Sequence, residues 1–540
     1  MADGGAERET ERGAAGSGDG KAVAPRMSRR AVLAGGTGML GIGVLAGSGL
    51  GRILGGESAA PSSSGSRDGH AVRAASLPAS MYRTAPTLFP PRLQVTERGT
   101  PVSAGFVLLT PSLLPGPRGQ SDAASVAAGQ GQMGLLITDL RGEPVWFAPT
   151  SQMVTNLEVQ TYRNKPVLTY WTGTITNGIG YGTGHVLDSS YRPLATIRAG
   201  GGLKEDLHDL TLTPQGTALI TVYRKVSTNT TALGGTKDGA VFEGVVQEVD
   251  LASGKVVFQW SSLAHVPVTE SYVRASGSAP IDYFHVNSVS LFDPTSLLIS
   301  SRHTSTIYCV SRKTGAVLWR LGGKRSSFSI GPGANFAWQH DVRRVGTSNQ
   351  LSIFDNGTNG IAPGGEAHSR ALVVNLSMSA RRATLARALT HPAGLLAPFE
   401  GSTQLLAQGH VFVGWGGEPY SSEFDGAGRL VLDLRFPTND QSYRAFRSPW
   451  HATPTTPPQV VIEKDGVGGY AVYVSWNGAT EVASWQVLGG VSTSKLAPVA
   501  TVPKAGFETA ITVHASGPYL AVAALDAAGR RLGISKPQKA

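Results

Sequence analysis

The segment 244–260, GVVQEVDLASGKVVFQW, decides the fold. Its two apolar runs are separated by a short turn that contains glycine, which predicts a β-hairpin. The pattern recurs at roughly 50- to 65-residue spacings, in the segments 134–147, 184–197, 305–321, 369–387 and 419–436. A second hairpin precedes each repeat, the least regular being AGFVLLTPS before the first. Two hairpins per repeat predict a four-stranded sheet, and the series predicts a six-bladed β-propeller over residues 85–450.

The composition is typical of an all-β chain with many turns. Of 540 residues, 41% are hydrophobic and 16% charged, with 69 glycines and 32 prolines. The one cysteine, Cys309, cannot form an intramolecular disulfide and is predicted to fill the core. The formal charge of +10 is spread along the chain without a basic helix or an RNA-binding signature, so no nucleic acid partner is predicted.

Residues 1–60 are predicted to be an export signal of the twin-arginine type. Arg29 and Arg30 precede a weakly hydrophobic, glycine-rich run. Residues 61–84 are predicted to be a linker. The alternative is an ordinary membrane anchor. Either way, we expect an exported protein, extracellular or anchored to the outer face of the cytoplasmic membrane.

Residues 456–537 form a separate predicted domain. Their alternating strands and the tryptophan in SWNG resemble an immunoglobulin or fibronectin type III-like β-sandwich. The alternative is that these strands complete the closure of the propeller.

Three adjacent repeats begin their first hairpin with a histidine: His208, His285 and His340. Equivalent positions in a propeller face the same rim of the channel, so these side chains are predicted to converge. The return strands end beside those starts, and Asn287 faces the same side as His285. Together with Trp338, beside His340, the residues predicted at this rim are Trp171, Tyr223, Asn287, Arg302, Asp355 and Trp415.

Histidines, an arginine and a side-chain amide suit an anionic group, and aromatic walls suit a flat apolar substrate. Three histidines also suit a transition metal, but Arg302 would repel a cation. Structural alternatives stay open. His-Asp at 208–209 and 340–341 can link neighbouring blades, Arg302 can be a surface charge, and Trp171 and Trp415 can belong to the core.

Four segments resemble the bacterial arylsulfotransferase (aryl-sulfate sulfotransferase) family over about residues 83–450. They are DLHDLTLTPQGTALIT, DYFHVNSVSLFDPTSLLISSRHTSTIY, GAVLWRLGGKRSSFSIGPGANFAWQHDVRRV and LSIFDNG. The resemblance implies a six-bladed propeller that moves a sulfuryl group from a phenolic sulfate ester to a phenol through a sulfohistidine. No nucleotide donor, cofactor or metal is implied.

By motif, the resemblance implies that His340 is the nucleophile. His208, His285, Asn287 and Arg302 would hold the sulfuryl oxygens or handle the phenol proton. Because His340 must be neutral to attack, activity is expected to fall below roughly pH 6 to 7. The alternatives are a metal-dependent lyase or hydrolase and a non-catalytic, exported binding propeller. The natural donor, the acceptor and the oligomeric state are not specified.

Overall fold

The computed structural model describes residues 81–101, 105–113, 131–357, 365–437, 440–466, 468–515 and 517–540. The predicted export signal and most of the predicted linker lie outside them. Helical segments within these ranges are short: α1 (Ser262–His265) and the 3-10 turns Thr231–Leu233, Val268–Glu270 and Ala407–Gly409. No described helix is long and apolar enough to cross a membrane. The prediction of an all-β chain is confirmed.

The strands before residue 325 are short and closely spaced. In chain order they are β1 (Gln94–Glu97), β2 (Phe106–Leu113), β3 (Gly134–Thr138), β4 (Pro144–Pro149), β5 (Met153–Tyr162), β6 (Lys165–Thr176), β7 (Ile179–Leu187), β8 (Pro193–Ile197), β9 (Glu205–Leu212), β10 (Thr217–Ser227), β11 (Ala240–Asp250), β12 (Val256–Ser261), β13 (Ile281–Asp282), β14 (Val286–Asp293), β15 (Ser296–Ser301), β16 (Thr306–Ser311) and β17 (Val317–Gly322). The segment 244–260 and its counterpart at 305–321 form the predicted hairpins.

The next strands continue the same pattern up to residue 448. They are β18 (Ser329–Ile330), β19 (His340–Arg344), β20 (Gln350–Asp355), β21 (Arg370–Ser377), β22 (Arg382–Leu389), β23 (Ser402–Leu405), β24 (Val411–Gly414), β25 (Tyr420–Phe424), β26 (Leu430–Arg435) and β27 (Asp440–Ser448).

Four-stranded antiparallel meanders recur along this part of the chain. The strands β5 to β8, β9 to β12, β14 to β17, β19 to β22 and β23 to β26 each pair in sequence order. A single residue pair, Gly182 with Glu205, joins the first two of these meanders into one larger sheet. The short strands β1 and β18 add to the outer strands β26 and β22, and β13 pairs with the first residues of the inner strand β11.

The first repeat differs from the prediction. AGFVLLTPS was expected to contribute a local hairpin, but its strand β2 pairs with β27, so that Phe106 lies opposite Ser448. The strands β3 and β4 complete this sheet. Local alternation identifies a strand but not a partner more than 300 residues away, which is why this pairing was missed.

Hydrophobic clusters connect successive meanders. One joins side chains of β9 to β12 with β14 to β17, and a second joins the latter with β19 to β22. Similar clusters join β19 to β22 with β23 to β26, and those strands with the β2–β27 sheet. Cys309 lies in one of them, 1% exposed, as predicted for a core residue.

Residues 459–539 form two further sheets. One contains β28 (Gln459–Lys464), β29 (Tyr470–Ser475) and β32 (Glu508–Val513), and the other β30 (Ser484–Ser492), β31 (Lys495–Pro503), β33 (Tyr519–Leu525), β34 (Arg531–Ile534) and β35 (Gln538–Lys539). Both sheets contribute side chains to one hydrophobic cluster. Asn477 ties this part to β4 by exchanging two hydrogen bonds with the backbone of Phe147.

Candidate active site

His208 and His285 form one side of the site. Their rings meet edge to face, with centroids 4.8 Å apart. Nδ1 of His208 donates to Asp206 and Nδ1 of His285 donates to Asp282, each at 2.5 Å, because an ionised carboxylate can only accept. The second Asp206 oxygen accepts the Gly180 N–H at 2.6 Å. In each ring, Nε2 is therefore the nitrogen that points away from the carboxylate.

His340 has a different partner. Its Nδ1 lies 2.6 Å from Oδ1 of Asn356. The Asn356 amide group donates to the backbone oxygens of Ala397 and Glu400, both at 3.0 Å, which orients its oxygen toward the ring. Nδ1 therefore carries the proton, and Nε2 has the lone pair that accepts the Glu400 N–H at 3.3 Å.

Arg302 connects the two sides. Its guanidinium lies over the Trp338 ring, 4.0 Å from the centroid, which is a cation–π contact. One nitrogen donates to Nε2 of His303 at 2.7 Å and another to the Pro398 carbonyl at 3.0 Å. The Arg302 backbone N–H donates to the carbonyl of His285. These contacts fix the cation beside the histidines.

Asn287 and Tyr223 complete the cluster. The Asn287 side chain donates to the Gln339 carbonyl, next to His340, at 2.6 Å. The Tyr223 ring centroid lies 5.8 Å from that of His208 and 6.0 Å from that of His285. The structure thus brings together His208, His285, Asn287, Arg302, His340, Tyr223 and Trp338.

Several buried polar atoms of this cluster have no hydrogen-bond partner among the described residues: Asn287 Oδ1, Arg302 Nε, Trp338 Nε1, Glu400 Oε2 and Gln441 Oε1. An unsatisfied buried donor or acceptor costs roughly 1–3 kcal/mol, so native proteins keep few of them. His285, Trp338 and Glu400 also have left-handed backbone conformations, with φ of 52°, 56° and 66°. Such strain collects at functional sites.

The described contacts of three further predicted rim residues lie outside this cluster. Trp171 and Trp415 are 0% exposed, and their indole N–H groups donate to the Glu205 carbonyl and the Ser422 hydroxyl. Both belong to the core, the alternative left open by the sequence. Asp355 accepts two hydrogen bonds from Arg370 and contacts neither His340 nor Arg302 in the described structure.

The aspartates after His208 and His340 link neighbouring sheets. Asp209 accepts the Val289 N–H of β14 at 2.7 Å, and Asp341 accepts the Thr403 N–H of β23 at 3.1 Å. Asp209 also pairs with Arg343 and Arg444. Burial alone would raise the pKa of Asp209, but the two guanidiniums outweigh it and lower that pKa to about 2. The structural alternative for the His-Asp pairs thus holds for the aspartates.

Burial sets the charge of the site. It lowers the pKa of His340 and of His285 well below the usual histidine value, and the nearby Arg302 charge acts in the same direction. Burial lowers the pKa of His303 to about 3 and that of Arg302 to about 10. At neutral pH the cluster therefore presents a neutral His340 beside a fixed positive charge.

Within the described ranges, Asp282, His285 and His303 form a group that could hold a metal ion, since one ligand-type atom of each lies within 4.8 Å of the others. Nδ1 of His285 is bonded to the Asp282 carboxylate, and Nδ1 of His303 donates to the Asp282 carbonyl at 2.5 Å. Nε2 of His303 accepts a hydrogen bond from the Arg302 cation. These bonds occupy both nitrogens of His303 and Nδ1 of His285 and place a positive charge beside them, so the group fits a cation poorly.

Sequence reasoning missed the residues that hold the histidines. Asp206 and Asp282 precede His208 and His285 by two and three positions, and an acidic residue at that distance was the available signal. Asn356 directly follows the predicted Asp355 and lies just beyond the end of β20. Glu400 lies in a loop where no strand periodicity applies.

Comparison with known proteins bears on this cluster. A family model described as Arylsulfotransferase (ASST) matches residues 158–437, just over half of the chain. No curated protein matches the sequence. The match spans the segments that carry His208, His285, Arg302 and His340.

Solved structures resemble the chain only distantly. A protein of unknown function from Bacteroides caccae is 13% identical, with a TM-score of 0.38, and the match covers 64% of this chain and 99% of that one. The β-propeller domain of Cps50 (Swd1) from Myceliophteria thermophila is 12% identical, with a TM-score of 0.30, and the match covers 61% of this chain and 98% of that one.

Proposed function

Because the chain belongs to the arylsulfotransferase family, we propose that it moves a sulfuryl group from a phenolic sulfate ester to a phenol without a nucleotide donor. His340 attacks the sulfur through Nε2 and carries the group as a sulfohistidine. His208, His285, Asn287 and Arg302 line the sulfuryl group. Tyr223 and Trp338 form the aromatic wall for the phenol.

One observation carries the choice of His340: its Nδ1 partner is an amide, whereas His208 and His285 have carboxylates. A carboxylate favours the protonated ring more than an amide in the same position does, although burial keeps the pKa of His285 low. A neutral amide orients the ring without adding negative charge. It leaves Nε2 as an unprotonated nucleophile.

The charge distribution suits sulfuryl transfer. Transfer at sulfur, like phosphoryl transfer, spreads negative charge over the equatorial oxygens, so fixed positive charge and hydrogen-bond donors stabilise the transition state. Arg302 supplies the charge. Its Nε and the Trp338 indole N–H are buried donors without partners among the described residues, and they are available to sulfuryl oxygens.

The direct test is the covalent intermediate. Protein incubated with 4-nitrophenyl sulfate and no acceptor should gain about 80 Da, as an acid-labile and alkali-stable group on a ring nitrogen. Peptide mapping should place it on His340, and His340→Asn should remove both the adduct and turnover. The matched variants His208→Asn and His285→Asn should still be labelled at His340, though more slowly. An adduct on either of those residues would overturn the assignment.

A metal-dependent hydrolase is the second candidate, because Asp282, His285 and His303 form a group of metal-ligand type. The two functions separate in one experiment. Sulfuryl transfer from 4-nitrophenyl sulfate to phenol should survive prolonged dialysis against a chelator. Loss of activity that added Zn²⁺ or Mn²⁺ restores would favour the hydrolase.

We also propose that the meanders form a closed six-bladed propeller and that the last two sheets form a fibronectin type III-like sandwich. The β2–β27 pairing and the clusters shared by successive sheets support the first, and the joint cluster of residues 459–539 supports the second. Limited proteolysis between residues 448 and 459 should release a folded C-terminal fragment if it is a separate domain.

Export through the twin-arginine pathway remains a proposal from the sequence alone. Replacing Arg29 and Arg30 with lysine should leave the protein inside the cell, because that pathway reads the arginine pair. Fractionation of cells that express the variant and the parent protein measures this. Normal export of the lysine variant would point to another route.

A further inference from the structure

Glu400 is attached to the nucleophile through its backbone. Its N–H faces Nε2 of His340 at 3.3 Å, and its carbonyl accepts the Asn356 amide at 3.0 Å. It thus contacts both members of the His340–Asn356 pair. Its left-handed backbone, with φ of 66°, is unfavourable for a residue with a long side chain. Strain that persists beside a nucleophile calls for a functional explanation.

The Glu400 carboxyl group has little to hold it in place. Oε1 lies 3.5 Å from the Gln441 side-chain nitrogen, at the limit of a hydrogen bond. Oε2 is buried, and within the described ranges it has no partner. The side chain starts from a backbone position directly beside His340 Nε2. A buried carboxyl without a partner is expensive to keep unless it serves the reaction.

No described cation pairs with this carboxyl. Tyr443 on β27 is an ionisable group close to it, and the Arg302 guanidinium donates instead to the Pro398 carbonyl. Burial raises the pKa of Glu400 to about 8. The carboxyl is therefore protonated at neutral pH and can both give up and regain a proton near that pH.

We propose that Glu400 is the general acid and base of the reaction and protonates the departing phenol oxygen. This inference rests on the proposed sulfuryl transfer. In the first half-reaction, Nε2 of His340 forms the N–S bond, the S–O bond to the aryl group breaks, and the Glu400 proton moves to the phenolate oxygen. In the second half-reaction, the acceptor phenol gives its proton to the Glu400 carboxylate while its oxygen attacks sulfur. The N–S bond breaks and His340 is restored, with its Nδ1 proton retained throughout.

The position of Glu400 explains why a proton donor is needed there. Phenol has a pKa of about 10, so phenolate is a poor leaving group at neutral pH unless it is protonated as it departs. His208 and His285 are held by the carboxylates of Asp206 and Asp282. Glu400 is the acidic residue whose backbone contacts the attacking nitrogen.

The test is the dependence on the leaving group. In a ping-pong reaction, kcat/KM for the donor reports only the first half-reaction. Glu400→Gln keeps the size and shape of the side chain. With 4-methylphenyl sulfate we expect kcat/KM to fall about 10²- to 10³-fold, the range for loss of a general acid. With 4-nitrophenyl sulfate, whose phenolate leaves readily, we expect a loss below about tenfold.

The pH profile adds a readout that a purely structural role would not change. In the wild-type protein, kcat/KM for 4-methylphenyl sulfate should fall above about pH 8, because the acid is then ionised. Glu400→Gln should lack this fall. Asp440→Asn is the matched control, because burial also raises the Asp440 pKa to about 8 and the residue lies beside Gln441 on β27. The control should keep both the rates and the alkaline fall.

The possible outcomes distinguish the role of Glu400 from the proposed sulfuryl transfer itself. Equal losses with both donors, or no loss with either, would remove Glu400 from the proton transfer while leaving sulfuryl transfer intact. An alkaline fall that persists in Glu400→Gln would do the same. If the wild-type protein turns over neither donor and His340 gains no adduct, the proposed function fails, and this inference fails with it.

Discussion

His208 lies within β9, His285 directly before β14 and His340 at the start of β19, and the surroundings of the three rings differ. The first two have carboxylates behind Nδ1, whereas His340 has the Asn356 amide. A carboxylate favours the charged ring and an amide does not. The partner of Nδ1 therefore distinguishes His340 from the other two histidines of the cluster.

After loss of His340 itself, the largest effect on turnover should come from loss of Arg302, the cation that lies between the His208–His285 side of the site and the His340 side. Arg302→Ala should lower kcat about 10²- to 10³-fold, the cost of losing one preorganised charge stabiliser. Arg302→Lys should recover part of the rate, because it restores the charge but not the stacking on Trp338. Folding, followed by circular dichroism, should be retained in both. A wild-type rate for Arg302→Ala would exclude the residue from the site.

The convergence of the three histidines was predictable, because a regular repeat places each of them near the start of the first strand of its meander. Their partners were less accessible. Asp206 lies two residues before His208, on the same strand face, and alternation could have identified it. Asn356 lies beyond the end of β20, where alternation no longer applies, so Asp355 was chosen instead.

The fold shows the same division between local and distant information. The hairpins at 244–260 and 305–321 follow from local patterns. The strands β2 and β27 pair although they are more than 300 residues apart, and the sequence of neither strand indicates its partner. Glu400 has its position because a loop adopts a left-handed turn beside His340, which neither composition nor periodicity signals.

A smaller effect on turnover should follow when the Asn356 amide beside His340 is replaced by a carboxylate, the type of partner that His208 and His285 have. Asn356→Asp should favour the imidazolium of His340, raise its pKa and lower the rate at pH 7 roughly tenfold. In the wild-type protein, the loss of activity toward acid should occur at a lower pH than the sequence predicts, because burial and the Arg302 charge lower the pKa of His340. The pH dependence of kcat/KM with 4-nitrophenyl sulfate measures both.

The direction in which Asn356→Asp shifts the pH of acid inactivation tests whether the amide sets the protonation state of His340. In Asn356→Asp the acid fall should move to higher pH, since more of His340 is protonated and unreactive at any given pH. Asp206→Asn is the matched control on the other side of the site, and it should leave the acid fall of His340 in place. An unchanged profile in Asn356→Asp would mean that the amide does not set the state of the nucleophile.

The smallest effect on turnover should distinguish the two kinds of tryptophan. Trp338 lies under Arg302 and is 9% exposed, whereas Trp415 is 0% exposed and packs against Phe354. Trp338→Leu should lower kcat/KM for the donor about tenfold, the order of one desolvated cation–π contact. Trp415→Leu should instead reduce the free energy of unfolding by about 3 kcal/mol, since it opens a cavity in the core, and leave kcat/KM per folded molecule unchanged. Urea unfolding and donor kinetics on both variants measure the two quantities. If folded Trp415→Leu lost as much kcat/KM as Trp338→Leu, Trp415 would belong to the substrate wall. Burial would then not distinguish the aromatic residues that contact the phenol from those of the core.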